Sequence, residues 1–153
     1  MTAESKIEEL GLTLPPTAEP KGLYKPLLVV ENRALTSGHL PVTSDGSLIT
    51  GRVGADMDVE AAAEAARLTG LAILATLRAE LGSLDRVVRV IKVTGMVNCT
   101  PDFDQQPAVI NGCSQLLADV FGTDAGIGTR SAFGVAALPL GVPVEIEAVL
   151  EIS

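Results

Sequence analysis

The sequence predicts an α+β fold: a mixed β-sheet with two helices packed on one face. Three observations predict it. From Asp58 to Gly82, Val59, Ala63, Ala66, Gly70, Ile73, Leu77 and Leu81 recur at helical spacing. The segment "DFDQQPAVINGCSQLLADVFG" gives a second helix, of about 15 residues, if Pro107 lies in its first turn. Between residues 144 and 152, Val144, Ile146, Ala148, Leu150 and Ile152 alternate with Glu145, Glu147, Val149 and Glu151, the period of a strand with one core face and one largely acidic face.

Taken in order, residues 4 to 10 predict a short helix, and "GLTLPPTAEPKG" then holds too much Pro and Gly to extend it. Strands are predicted over 27 to 30 and 33 to 37, joined through Glu31 and Asn32 as a hairpin. "TSDGSLITG" predicts a turn and a third short strand. The long helix follows, with Asp58 as N-cap and enough alanine to approach a sheet closely. "LDRVVRVIKVTGMV" is a strand, then comes the second helix, and strands at 129 to 137 and 144 to 152 close the order β-β-β-α-β-α-β-β.

A length of 153 residues fits one domain with a real core. The hydrophobic fraction is 47% and mean hydropathy is +0.38, yet no run reaches the roughly 18 apolar residues of a membrane span. With three Phe, one Tyr and no Trp, the surplus is aliphatic, which suits tight packing and a subunit interface. A net charge of −8 argues against nucleic acid as a partner, since phosphate binding needs clustered Lys and Arg. Cys99 and Cys113 have neither metal-ligand spacing nor a disulfide framework and read as buried thiols. "MTAESKIEEL" carries acids where a secretory leader would carry bases, so the cytoplasm is the expected compartment.

The residues that could carry chemistry lie in "GTRSAFGVAALPLGVPVEIEAVLEI". Arg130, Glu145 and Glu147 interrupt an otherwise apolar stretch, and a buried charge without a partner is costly. One reading pairs Arg130 with Glu145 or Glu147 on a neighbouring strand. The other offers its planar fork to the carboxylate of a small ligand, with a glutamate nearby as base or water-positioner. The two predict different neighbours for Arg130. The "GIG" of 126 to 128 reads as a flexible loop, or more weakly as a nest of N–H groups for an anion.

"RSAFGVAALPLGVPVEIEAVL", preceded by "LTSGHLPV" and "GLYKPL", resembles the Rid family, also called YjgF-like or endoribonuclease L-PSP. The resemblance spans about residues 22 to 152, which sets residues 1 to 21 apart as an arm and makes 22 to 153 a single Rid-like domain. It implies a chorismate-mutase-like fold, assembled as a homotrimer with ligand clefts between subunits. It also implies hydrolysis of reactive enamines and imines to 2-keto acids and ammonia, without metal or organic cofactor. On that resemblance Arg130 would hold the substrate carboxylate and Glu145 the attacking water. Tyr24, Gly38 and Asn111 match the tyrosine, turn glycine and helix asparagine of the cleft. The chain departs from the pattern at His39, where a glutamine is usual, at Ala132, where a cysteine is common, at Ala137, and in the glycine-rich "FGTDAGIGTR". His39, the only histidine, is a candidate for touching the ligand or for a turn role. Three functions follow in rank: an imine or enamine deaminase, a non-catalytic binder of small carboxylates, and an endoribonuclease. The last is disfavoured by the acidic charge and single tyrosine.

Overall fold

The computed structural model describes residues 1–153. Its helices are α1 (Ala3–Glu9), α2 (Val59–Leu81), α3 (Gln106–Phe121) and the one-turn α4 (Thr123–Gly126), and its strands are β1 (Leu27–Val30), β2 (Arg33–Thr36), β3 (Val87–Asn98), β4 (Thr129–Val135) and β5 (Val144–Ile152). The strands form one sheet in the order β1-β2-β5-β3-β4. Only β3 and β4 run parallel; the other neighbours are antiparallel. That parallel pair is connected through α3, because strands running the same way need a long crossover.

Local chemistry sets the boundaries of these elements. Asp58 caps α2 by accepting from Ala61 N at 2.8 Å, and Gly82 ends it at φ 87, a left-handed conformation that costs glycine little. Pro107 sits in the first turn of α3, where its missing N–H leaves no gap. The β1–β2 hairpin closes with Val30 opposite Arg33 and Glu31 at φ 55.

Along β5 the buried residues are Val144, Ile146, Ala148, Leu150 and Ile152, the predicted alternation. They face α2, while α3 packs alongside α2 over β3 and β4. These helices approach closely because a side chain at Gly112 would overlap the backbone of Ala63, and one at Gly70 would crowd Leu116 and Cys113. Helix α1 adds Ile7 to the core and is tied down by Glu4, whose carboxylate accepts from Arg78 Nη2 at 2.6 Å and Leu84 N at 2.8 Å.

The opposite face of the sheet carries no helix. By strand register it presents Leu28, Leu35 and Val149 in one row, and Glu145, Met96 and Phe133 in another. Leu28, Leu35 and Phe133 are exposed there. No helix is long and apolar enough to cross a membrane.

Three expectations need correction. The third predicted strand, after "TSDG", is absent from the sheet; the segment makes one single bridge, Leu48 with Val42, because turns break it before a ladder can extend. The "GIG" of 126 to 128 is not all loop: Gly126 ends α4, the turn Thr123–Gly126, closed by Gly126 N to Gly122 O at 2.7 Å. Strand β4 ends at Val135, two residues before the predicted 137, as the chain turns towards Pro139.

Candidate functional site

Arg130 stands near the start of the edge strand β4, opposite Val93 of β3. Val93 is buried beneath the helices, so register turns Arg130 to the helix side as well, against α3. Its Nη1 donates to Asn111 Oδ1 at 2.8 Å and to Ser114 Oγ at 3.1 Å. Asn111 and Ser114 lie three positions apart on α3 and therefore on one face. The close seat of Gly112 against Ala63 fixes where that face lies.

Both groups holding Arg130 are neutral. The ion pairs of the chain are Lys6–Glu9, Arg67–Glu64, Arg78–Glu4, Arg89–Asp124 and Arg89–Glu151, and none includes Arg130. Of the two readings open in the sequence, pairing with Glu145 or Glu147 is therefore not what the fold adopts. The Nε and Nη2 groups of Arg130 make no hydrogen bond within the chain. This is the side-on edge of the guanidinium, the one that matches a carboxylate in two parallel hydrogen bonds.

Glu145 lies on the other face. It pairs with Met96 of β3, while the flanking Val144 and Ile146 point into the core. Its carboxylate lies over Gly38, and only a residue without a side chain leaves room for it there. Burial pushes the Glu145 carboxyl above its ordinary value, and the like charge of Glu147 adds to the rise. Glu147 itself is exposed, and Glu151 lies 4.0 Å from Arg89.

His39 turns to the helix side. The bridge His39–Ile146 sets this orientation, since Ile146 faces the core. The Ser37 carbonyl only accepts, so Nδ1 carries the hydrogen and donates to it at 2.7 Å, and Nε2 accepts from the Thr76 hydroxyl of α2 at 2.8 Å. Burial lowers the pKa of His39, opposed by the bond to Ser37. Tyr24 is exposed in the segment leading into β1.

The fold thus brings the predicted residues together in two groups, Arg130 with Asn111 and Glu145 with Gly38. Within one chain it keeps these groups on opposite faces of the sheet, and it turns His39 away from Glu145. Ser114 was not anticipated; its one sequence signal is its spacing from Asn111. A cavity of about 340 Å³ beside α1, lined by Lys6, Val88 and Phe121 among others, includes none of these residues. Cys99 and Cys113 are both buried free thiols, and burial pushes Cys113 up to about 12.

Residues 4–147 match the family model described as "YjgF/chorismate_mutase-like, putative endoribonuclease". Protein TCP17 of Trypanosoma cruzi is 38% identical over 149 residues, 97% of this chain and 93% of its own. The crystal structure of the protein Atu1372 from Agrobacterium tumefaciens has a TM-score of 0.88 at 42% identity, covering 99% of this chain and 92% of that one. That of E. coli TdcF with bound serine has a TM-score of 0.60 at 27% identity, covering 92% and 94%.

Proposed function

The chain belongs to the YjgF/chorismate-mutase-like family, and on that premise we propose that it hydrolyses reactive 2-imino and enamine acids to 2-keto acids and ammonia. The observation that carries this reading is Arg130, whose side-on edge is unoccupied and whose charge no carboxylate of the chain neutralises. A small ligand bearing a carboxylate fits that edge. The serine bound to TdcF is likewise a small molecule bearing a carboxylate.

The chemistry asks little of the protein. An imine carbon is already electrophilic, so a positioned water suffices. Glu145, in its carboxylate form, accepts a proton as the water oxygen bonds to the imine carbon. Glu145 returns that proton to the nitrogen to give a tetrahedral carbinolamine; the carbinolamine hydroxyl proton then passes to the nitrogen as the C–N bond breaks, so ammonia leaves as the C=O bond forms. An enamine substrate first tautomerises to the imine, gaining a proton on carbon as nitrogen loses one. Water is consumed, one ammonia and one 2-keto acid are produced, and nothing is oxidised or reduced.

Arg130 and Glu145 lie on opposite faces of one sheet and are two strands apart, so one substrate of a few heavy atoms does not reach both within a chain. A cleft between copies brings Arg130 of one to Glu145 of another, and the apolar groups on the uncovered face are suited to such an interface. A homotrimer with three such clefts is the assembly we infer. A binder that holds the carboxylate without turnover would use the same Arg130 edge. An endoribonuclease would need a phosphate-tracking surface, which a net charge of −8 disfavours.

The test generates 2-iminobutanoate or 2-aminoacrylate in situ and follows its loss with wild type and Arg130→Ala. Acceleration over buffer that Arg130→Ala abolishes supports the deaminase. No acceleration by wild type rejects it for these substrates, and binding of 2-ketobutanoate without turnover moves the reading to the carboxylate binder.

A further inference from the structure

We propose that Ser114 is a positioning residue that sets the specificity of this site for carboxylates by fixing the plane of the Arg130 guanidinium. The proposal rests on the reading of Arg130 as the carboxylate anchor, and it adds a residue that the family pattern read from the sequence does not include. An arginine side chain near an edge strand turns about several soft bonds, and ordering it costs rotamer entropy. A single hydrogen bond to Nη1 leaves the guanidinium free to pivot about that contact. Two acceptors on the same Nη1, Asn111 Oδ1 at 2.8 Å and Ser114 Oγ at 3.1 Å, use both of its hydrogens and fix the plane.

Which edge is left over then matters. With Nη1 occupied on the α3 side, the Nε–H and Nη2–H pair faces away from the helix. That edge offers two parallel donors at the spacing of carboxylate oxygens. A ligand whose carboxylate has been converted to an amide loses one acceptor and the charge, and it meets the same fixed edge with a donor opposed to a donor. The fixed plane thereby discriminates against neutral analogues more sharply than a free arginine would. Ser114 suits this role because it is neutral, which leaves the Arg130 charge for the ligand, and short, which keeps the edge open. A Glu or Asp here would neutralise the arginine. The side chain is half-buried on a helix face, so truncating it is compatible with folding.

The experiment records the side-chain ¹⁵N–¹H guanidinium spectrum of Arg130 in wild type, Ser114→Ala, Ser114→Thr and Asn111→Ala, with no ligand present. It also measures the KM and kcat of each for 2-iminobutanoate and the Kd for 2-ketobutanoate. Restricted rotation, seen as separate Nη signals in wild type, is expected to be lost in Ser114→Ala and restored in Ser114→Thr, which keeps the hydroxyl. In parallel, KM and Kd rise about fivefold in Ser114→Ala while kcat stays within about twofold, because a carboxylate-holding contact is made alike in ground and transition states. Unchanged rotation in Ser114→Ala, or failure of Ser114→Thr to restore it, overturns the proposal. The ligand-free spectrum decides this even if wild type turns nothing over, so failure of the deaminase reading is a separate result.

Discussion

The carboxylate of Glu145 occupies the space that a side chain at Gly38 would need. Gly38 sits in the turn after β2 and Glu145 at the start of β5, so this contact ties a loop to the centre of the sheet. The obstacle a Gly38→Ala methyl would meet is the far end of a flexible side chain. The substitution should therefore cost little stability, below about 1 kcal/mol, while displacing Glu145. The expected outcome is near-normal thermal denaturation with kcat for imine hydrolysis reduced at least about tenfold. A variant that keeps its activity would separate Glu145 from the chemistry.

Glu145 also gives a pH signature. Its folded pKa is raised, so the folded state bears a penalty for the charged form that is present in full above that raised pKa and disappears as pH falls below the ordinary glutamate value of about 4.3. Glu145→Gln is accordingly expected to have the higher Tm at pH 7.5, with the difference closing towards pH 4. Its activity should be lost at every pH. Wild-type turnover should fall on the acid side with a midpoint above the ordinary glutamate range.

His39 works in the opposite sense. Its folded pKa is lowered, so above about 6.5 it is neutral in both states and carries no penalty. As pH falls through 6.5, the unfolded chain takes up a proton that the folded chain resists, and stability declines until the lowered folded pKa is reached. His39→Gln should lack this loss, so the Tm of wild type relative to the variant should drop between pH 7 and 5. Parallel curves for the two proteins would refute the assignment.

Gly112 is the position where a methyl group has no way out, because it would meet the backbone oxygen of Ala63 rather than a side chain. Gly112→Ala must push α3 away from α2. A cost on the order of 2 kcal/mol, or a Tm drop of about 6 °C, is expected. The shift also carries Asn111 and Ser114 off Arg130, so the Kd for 2-ketobutanoate should weaken beyond what the stability loss explains. Calorimetry and titration on the same preparation check both parts.

Elements with strong local signals were legible in the sequence: the alternation of β5, the Asp58 and Gly82 caps of α2, and Pro107 in the first turn of α3. The third strand was misread because β-branched residues near a turn resemble a strand even where no neighbour offers more than one bridge. The site was legible only as identities. Period two says that Arg130 and Ala132 share a face of β4, and that Glu145 and Glu147 share a face of β5. It cannot say whether the two faces coincide, since that depends on register through β3, whose partners Val93 and Met96 lie far earlier in sequence than Arg130 and Glu145. The hydrogen bond from Arg130 to Ser114 was hidden for the same reason, being a product of how α3 seats on α2.

The central place of β5 has a consequence for how the protein is made. Strands β2 and β3 each pair with β5 and not with each other, so the hairpin at residues 27–36 and the unit from β3 to β4 have no ladder between them until residues 144–152 are available. During synthesis the ribosome must therefore deliver nearly the whole chain before the sheet can close. Helices α2 and α3, each held by its own local backbone bonds, can form earlier, leaving their apolar underside uncovered until the last strand arrives.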